Sequence, residues 1–295
     1  RMFLNIIVTL PILARMLGPD IFGLATMAMT LIMFLSVFGD IGIAPALIRT
    51  RDTSRALWST AAWTTMLIGL ALSIIAYATS PLLAAFYKEP DVEPLAKVLA
   101  IAIGLQVISS VPIAWLQRQE KMATIAKIDI IAVVVSSIVA LTLAFQGAGV
   151  WAIIWQQISL PVVKCSLALF YARVPLEPRY EWARIRPLLG FSLLITTSTF
   201  VVFFNRQADK LLIGRYMGTD VLGLYGRAFQ LMQLPNQIIS QGIGFAAYPA
   251  MANVQHDRAW LRLMYLKLTA AVSFFAFPIA PFLSETQWSI HIGHL

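Results

Sequence analysis

Long apolar blocks separated by short polar breaks dominate this chain and leave few ways to fold it. Nine segments can be drawn, at residues 2–17, 20–48, 57–86, 92–116, 123–145, 149–172, 187–213, 220–250 and 261–283. A helix rises about 1.5 Å per residue, so blocks of about 20 residues match a hydrocarbon layer of roughly 30 Å. With 59% hydrophobic and 12% charged residues, the chain carries more apolar surface than a water-soluble core can absorb. The short alternating strands of an outer-membrane barrel are not seen. The expected fold is therefore an all-α membrane protein, a polytopic transmembrane helix bundle. Segments longer than a perpendicular crossing requires imply tilt or ends that project into water.

A formal charge of +8 in a soluble protein would point to nucleic acid. Here most of the basic residues fall at the breaks, and chiefly at every second break. Arg49, Arg51, Arg55; Arg118, Lys121, Lys127; Arg173, Arg179, Arg184, Arg186; and Arg258, Arg262, Lys267 follow the even-numbered segments, thirteen in all. The odd-numbered segments are followed by three, Arg15, Lys88 and Arg215. Basic loops stay on the cytoplasmic side, so the pattern predicts a bacterial inner-membrane protein whose original N-terminus is cytoplasmic. The acidic, proline-rich loop YKEPDVEP (87–94) suits the outer side, and RVPLEPRYEWARIRP (173–187) is the longest polar connection. It divides the chain into an N-terminal lobe, 1–172, and a partial C-terminal lobe, 188–283, followed by an irregular tail, 284–295. Cys165 is the single cysteine, which excludes an internal disulfide framework, and His256, His291 and His294 lie in loops or the tail, so no metal site is expected. The chain opens on Arg1 and is apolar from Met2, and its end, SETQWSIHIGHL, resembles neither a helix nor a cap. It reads as a fragment with a shortened first helix and a truncated or frame-altered end.

An internal repeat supplies the architecture. Residues 14–24 read ARMLGPDIFGL and residues 214–224 read GRYMGTDVLGL; Arg15/Arg215, Gly18/Gly218, Asp20/Asp220, Gly23/Gly223 and Leu24/Leu224 are identical at a constant offset of 200, as are Asn5/Asn205. The glycines Gly18 and Gly218 are expected to end one helix and the aspartates to cap the next. Six segments separate the copies, an even number, so both enter the membrane in the same direction. That describes parallel repeats related by an axis along the membrane normal, as in carriers that rock two lobes about a central site.

At these residues the sequence resembles the polysaccharide-unit flippases of the multidrug/oligosaccharidyl-lipid/polysaccharide exporter superfamily. The stretches that carry the resemblance are ARMLGPDIFGL with GDIGIAPALIRTRD, then ADKLLIGRYMGTDVLGLYGRAFQLMQLP, the most specific, and FAAYPAMANVQHDRAWLRLMYLKL. The resemblance implies two six-helix lobes around a central cavity and translocation of an undecaprenyl-diphosphate-linked oligosaccharide to the outer leaflet, for polysaccharide or lipopolysaccharide biosynthesis. It implies as partners the lipid-linked oligosaccharide, membrane lipids and polysaccharide polymerase or assembly proteins. No cofactor and no nucleic acid is expected. The family has twelve to fourteen helices, and the chain departs from it in lacking a complete first helix and whatever follows the ninth.

Such a cargo needs cations for its diphosphate and amides, hydroxyls and aromatic faces for its glycan. An ionisable residue at a helix centre costs about 2.5–3.5 kcal/mol on insertion scales, which argues for a cavity or a partner. The seventh segment concentrates Asn205, Arg206, Asp209 and Lys210, with the three charged residues on one helical face. The eighth carries Arg227 and an amide row, with Gln230, Gln233 and Gln237 on one face. Both faces admit two readings, a wet cavity or polar ties between helices. Lys164 and Lys97 read as lone cations in apolar blocks, Lys164 as the first-lobe cation for phosphate and Lys97 as reaching toward an interface from near its helix start. Asp40 reads as an ion-coupling site or as partner to a buried cation. Pro45, Pro112, Pro161, Pro235 and Pro249 can kink their helices. An enzyme would need a site such as Asp91–Val92–Glu93 to hold a metal, but these acids sit in a short loop and read as solvated charges. No nucleophile–base set, phosphate-cradling loop or metal motif accompanies them, so no catalytic residue is assigned. A multidrug or cation exporter of the same superfamily and a non-transporting component of a polysaccharide assembly complex are the competing functions.

Overall fold

The computed structural model describes residues 10–39, 43–50, 54–174, 180–182, 185, 197, 199–205, 207–230, 232 and 270. The described residues are helical apart from the turns, with no strand among them. Seven helices run in order: α1, Leu10–Met16; α2, Pro19–Gly39; α3, Ile43–Arg49; α4, Arg55–Tyr87; α5, Val92–Arg118; α6, Met122–Phe145; and α7, Val150–Ala172. Residues 199–205 and 207–230 are also helical. Five helical spans, Pro19–Ile48 and the whole of α4 to α7, are long and apolar enough to cross a membrane. The chain is a multi-pass membrane protein. It divides into two compact units, Arg1–Leu224 and Tyr225–Leu295.

In the first unit α5 is the central helix, packed against α2, α3, α4, α6 and α7. Its buried face holds Leu95, Leu99, Ile103, Val107 and Val111. Because lipid is as apolar as leucine, close packing rather than escape from water holds such helices together. Gly69 of α4 and Gly104 of α5 show how. A methyl at Gly69 would lie 2.8 Å from the Gly104 carbonyl oxygen, and one at Gly104 would lie 3.2 Å from that of Gly69. An edge-to-face aromatic set joins α2 to residues 200–204, with Phe34 5.5–6.5 Å from Phe38, Phe200, Phe203 and Phe204.

Backbone groups inside a membrane must find partners within the protein. Threonines and serines of the spans donate to their own helix, as Thr26 does to Phe22, Thr30 to Thr26 and Thr64 to Thr60, each at 2.7–2.8 Å. Pro81, an interior proline of α4 that the sequence reading passed over, withholds the N–H that Tyr77 would receive. The buried Ser80 hydroxyl supplies it instead, donating to the Tyr77 carbonyl at 2.7 Å.

Short turns at Lys88–Asp91, Gln119–Lys121 and Gln146–Gly149 make α4 to α7 run alternately up and down. One end of the bundle thus collects the basic loops. There Arg118 donates through Nη1 to the carbonyls of Leu47, Ile48 and Thr50 at 2.6–3.1 Å, closing the C-terminal end of α3. The described part of the long polar connection docks at the same end. The Glu181 N–H donates to Thr60 at 3.3 Å, Tyr180 shares a hydrogen bond with Thr64, and Ile185 is buried with Leu47, Trp58 and Val111.

The opposite end holds both copies of the repeat. A methyl at Gly23 would overlap the Thr219 carbonyl, with its carbon at 2.5 Å; a methyl at Gly223 would overlap the Pro19 carbonyl and reach within 3.0 Å of the Gly23 nitrogen. Pro19 and Thr219, like Gly23 and Gly223, are equivalent at the offset of 200. The contact is therefore reciprocal, the pattern of a two-fold axis, and it is made backbone to backbone because only glycine allows such an approach. Gly218 takes a positive φ, 86°, but it does not end a helix: residues 207–230 are helical through it, so Asp220 lies inside that helical run and does not cap a new one. Gly18 takes no positive φ; it follows α1 and lies under the Asp20 carboxylate, which a methyl there would strike. Asp20 is also not a cap. The helix starts at Pro19, a favoured first position, and Asp20 falls in the first turn, where its charge meets the positive end of the helix dipole.

Candidate functional site

Three helices converge on a cavity of about 550 Å³. Its wall takes Met29, Met33 and Ser36 from α2, Gln106, Ser109, Ser110 and Ile113 from α5, Gln157, Pro161 and Lys164 from α7, and Thr199. On each helix these residues recur at steps of three, four or seven, the spacing that keeps one face turned inward. In α2 and α5 they belong to the half nearer the basic loops, away from the glycine crossing.

The wall's hydroxyls are already engaged on one side. Ser36 donates to Met33, Ser109 to Gln106 and Ser110 to Val107, each at 2.7–2.8 Å. What they offer a ligand is their oxygen lone pairs. Gln157 sends its amide N–H to the Met29 sulfur at 3.2 Å, which leaves its carbonyl oxygen as an acceptor. Lys164 is the cation of the wall, and its Nζ lies 2.9 Å from Asp129 Oδ1 on α6. Both side chains are about one-fifth exposed, at 20% and 21%. A cavity built this way accepts hydrogen bonds from hydroxyl-bearing groups and offers one ammonium to an anion.

The sequence as a whole matches one family model, that of the polysaccharide biosynthesis protein, over residues 12–287. The chain belongs to that family. The chain is 27% identical to the succinoglycan biosynthesis transport protein ExoT of Rhizobium meliloti, over 85% of its own length and 51% of ExoT. It is 26% identical to the teichuronic acid biosynthesis protein TuaB of Bacillus subtilis, over 84% of the chain and 52% of TuaB. With the lipopolysaccharide biosynthesis protein WzxC of Escherichia coli it shares 25% over 92% of the chain and 56% of that relative. The chain spans about half the length of the curated relatives it matches. No solved structure matches it.

Among the described residues, Lys164 is the sequence-derived candidate that the cavity wall contains. It is not a lone cation, because Asp129 partners it, and neither is Lys97, whose Nζ lies 2.6 Å from Glu93 Oε1 one turn earlier and 5.5 Å from the Tyr77 ring centroid. Glu93, weighed as a metal ligand, is thus engaged with Lys97. Asn205 is exposed, while Asp209 and Lys210 are half-buried and outside the wall; Asp209 Oδ1 accepts the Lys210 backbone N–H at 2.9 Å. Arg227, half-buried, and Gln230, exposed, belong to the second unit. Asp40, Arg206, Gln233 and Gln237 lie outside the described residues. The sequence reading missed Gln106, Ser109, Ser110 and Gln157, although their helical spacing within apolar blocks was a legible signal. It also missed Asp129, an isolated acid at the depth of Lys164.

Proposed function

We propose that this chain forms the greater part of a flippase that carries an undecaprenyl-diphosphate-linked oligosaccharide from the cytoplasmic to the outer leaflet of the bacterial inner membrane. The observation that carries this reading is the Lys164 cavity, walled by membrane-spanning helices and lined by hydroxyl and amide oxygens beside one ammonium. That inventory suits a glycan next to an anionic phosphate, with the polyprenyl tail left in lipid. The names of the relatives add support, since one is a transport protein for succinoglycan biosynthesis and others serve teichuronic acid and lipopolysaccharide biosynthesis.

Alternating access is the proposed mechanism, with residues 1–172 and 188–283 as the two lobes and the basic loops in the cytoplasm. The reciprocal Gly23–Thr219 and Gly223–Pro19 contacts support it, because they close the two repeats against each other at the end away from the basic loops. In this conformation the cargo enters from the cytoplasmic side; parting the glycine contact opens the other. Such a carrier performs no covalent chemistry, and its partners are the lipid-linked oligosaccharide, membrane lipids and the proteins that polymerise the sugar.

Proteoliposomes holding the full reading frame test this with a fluorescently labelled lipid-linked oligosaccharide. Protein-dependent movement of the label between leaflets is expected, and its absence overturns the reading. Cation or drug efflux without sugar movement would assign the protein to the exporter class instead.

A further inference from the structure

Lys164 lies eight residues short of the end of α7, about 12 Å along the helix, and Asp129 lies seven residues into α6, about 10 Å from the same end of the bundle. The two charges therefore meet at one depth inside the membrane-spanning region. A pair placed there gives little stability, since the desolvation of two ions offsets most of their attraction and well-packed apolar residues would serve as well. Its arrangement is also lopsided. Lys164 forms part of the cavity wall, whereas Asp129 stands behind it on α6 and is not a wall residue.

We propose that Asp129 is the counter-ion against which cargo competes for Lys164, and so sets how firmly the cavity holds an anionic group. This rests on the function proposed above and adds a residue to it. An ammonium has three N–H donors, and Asp129 Oδ1 at 2.9 Å takes one of them. A phosphate entering from the cavity side meets the remaining donors, while the carboxylate opposite draws the charge back. Binding is weakened by that competition, which lets the cargo leave after the lobes have moved. A carrier with an uncompensated lysine would bind more tightly and release more slowly.

The experiment uses the full-length protein and undecaprenyl diphosphate as the binding probe, with the labelled lipid-linked oligosaccharide for flipping. Asp129→Asn is expected to tighten binding about fivefold and to slow flipping. The exchanged pair Asp129→Lys with Lys164→Asp keeps the tie between α6 and α7 but presents a carboxylate to the cavity. It is expected to retain the wild-type thermal midpoint while losing binding of the probe. Wild-type binding and flipping in the exchanged protein, or an Asp129→Asn protein that matches wild type in both, would reduce the pair to a helix tie and overturn the proposal. A wild-type protein that binds no undecaprenyl diphosphate would defeat the flippase reading itself. Should Asp129→Asn fail to fold, the exchanged pair alone decides.

Discussion

Arg118 shows how a basic residue at a membrane boundary can serve structure before topology. Its guanidinium closes the carbonyl end of α3, bonded to Leu47, Ile48 and Thr50, where the last carbonyls of a helix otherwise go without partners. Arg118→Ala is expected to lower stability by about 1.5–3 kcal/mol, the range for hydrogen bonds to a charged group, read as a reduced thermal midpoint in detergent. Arg118→Lys should fall between, because an ammonium on a flexible stem keeps the charge but is less pre-organised than the rigid guanidinium to hold one nitrogen among three carbonyls. Lys97 is different. Its bond to Glu93 spans one helical turn at about one-third exposure, at 33% and 36%, so it satisfies the charge locally without joining elements.

Within single elements, the polar residues of the spans are mostly devoted to their own backbone. In α4 the serine–proline pair is the sharpest case, since Ser80 completes the carbonyl that Pro81 deprives of a donor. Ser80→Ala should cost about 0.5–1.5 kcal/mol, the net worth of one hydrogen bond, by leaving the part-buried Tyr77 oxygen without its donor. In a Pro81→Ala background the same change should cost much less, because the backbone N–H that this substitution restores can bond the Tyr77 carbonyl in the ordinary helical way. Thermal unfolding of the two single variants and the double variant measures the difference. Equal costs in both backgrounds would show that the serine does not act as the substitute donor.

Across the whole molecule, the repeat and the charge alternation make separate predictions. Gly23→Ala and Gly223→Ala should each destabilise by about 1–3 kcal/mol through overpacking. Because the two glycines share one crossing, the double variant should cost less than the sum, and additive losses in thermal midpoint would mean that the contacts are independent. The basic end and the glycine end should lie on opposite faces of the membrane. In a Cys165→Ser protein, cysteines placed at Lys88 and at Lys121 should react with a membrane-impermeant thiol reagent from the outer and cytoplasmic sides respectively; labelling of both from one side would contradict the topology.

Helix existence was legible from the sequence because a hydrocarbon solvent enforces it: apolar length alone obliges the backbone to bond within each segment. The offset of 200 between the glycine motifs was equally legible, since repetition is a property of the letters. What the letters did not contain was adjacency. That Gly23 meets Thr219 while Gly223 meets Pro19, that Asp129 stands behind Lys164, and that Gln106 and Gln157 look into one cavity are facts about which helix faces which. Sequence periodicity sets a helix's faces but not its neighbours. In lipid, where no gradient of hydrophobicity separates inside from outside, only the close fit of small residues and polar pairs in the folded bundle decides them.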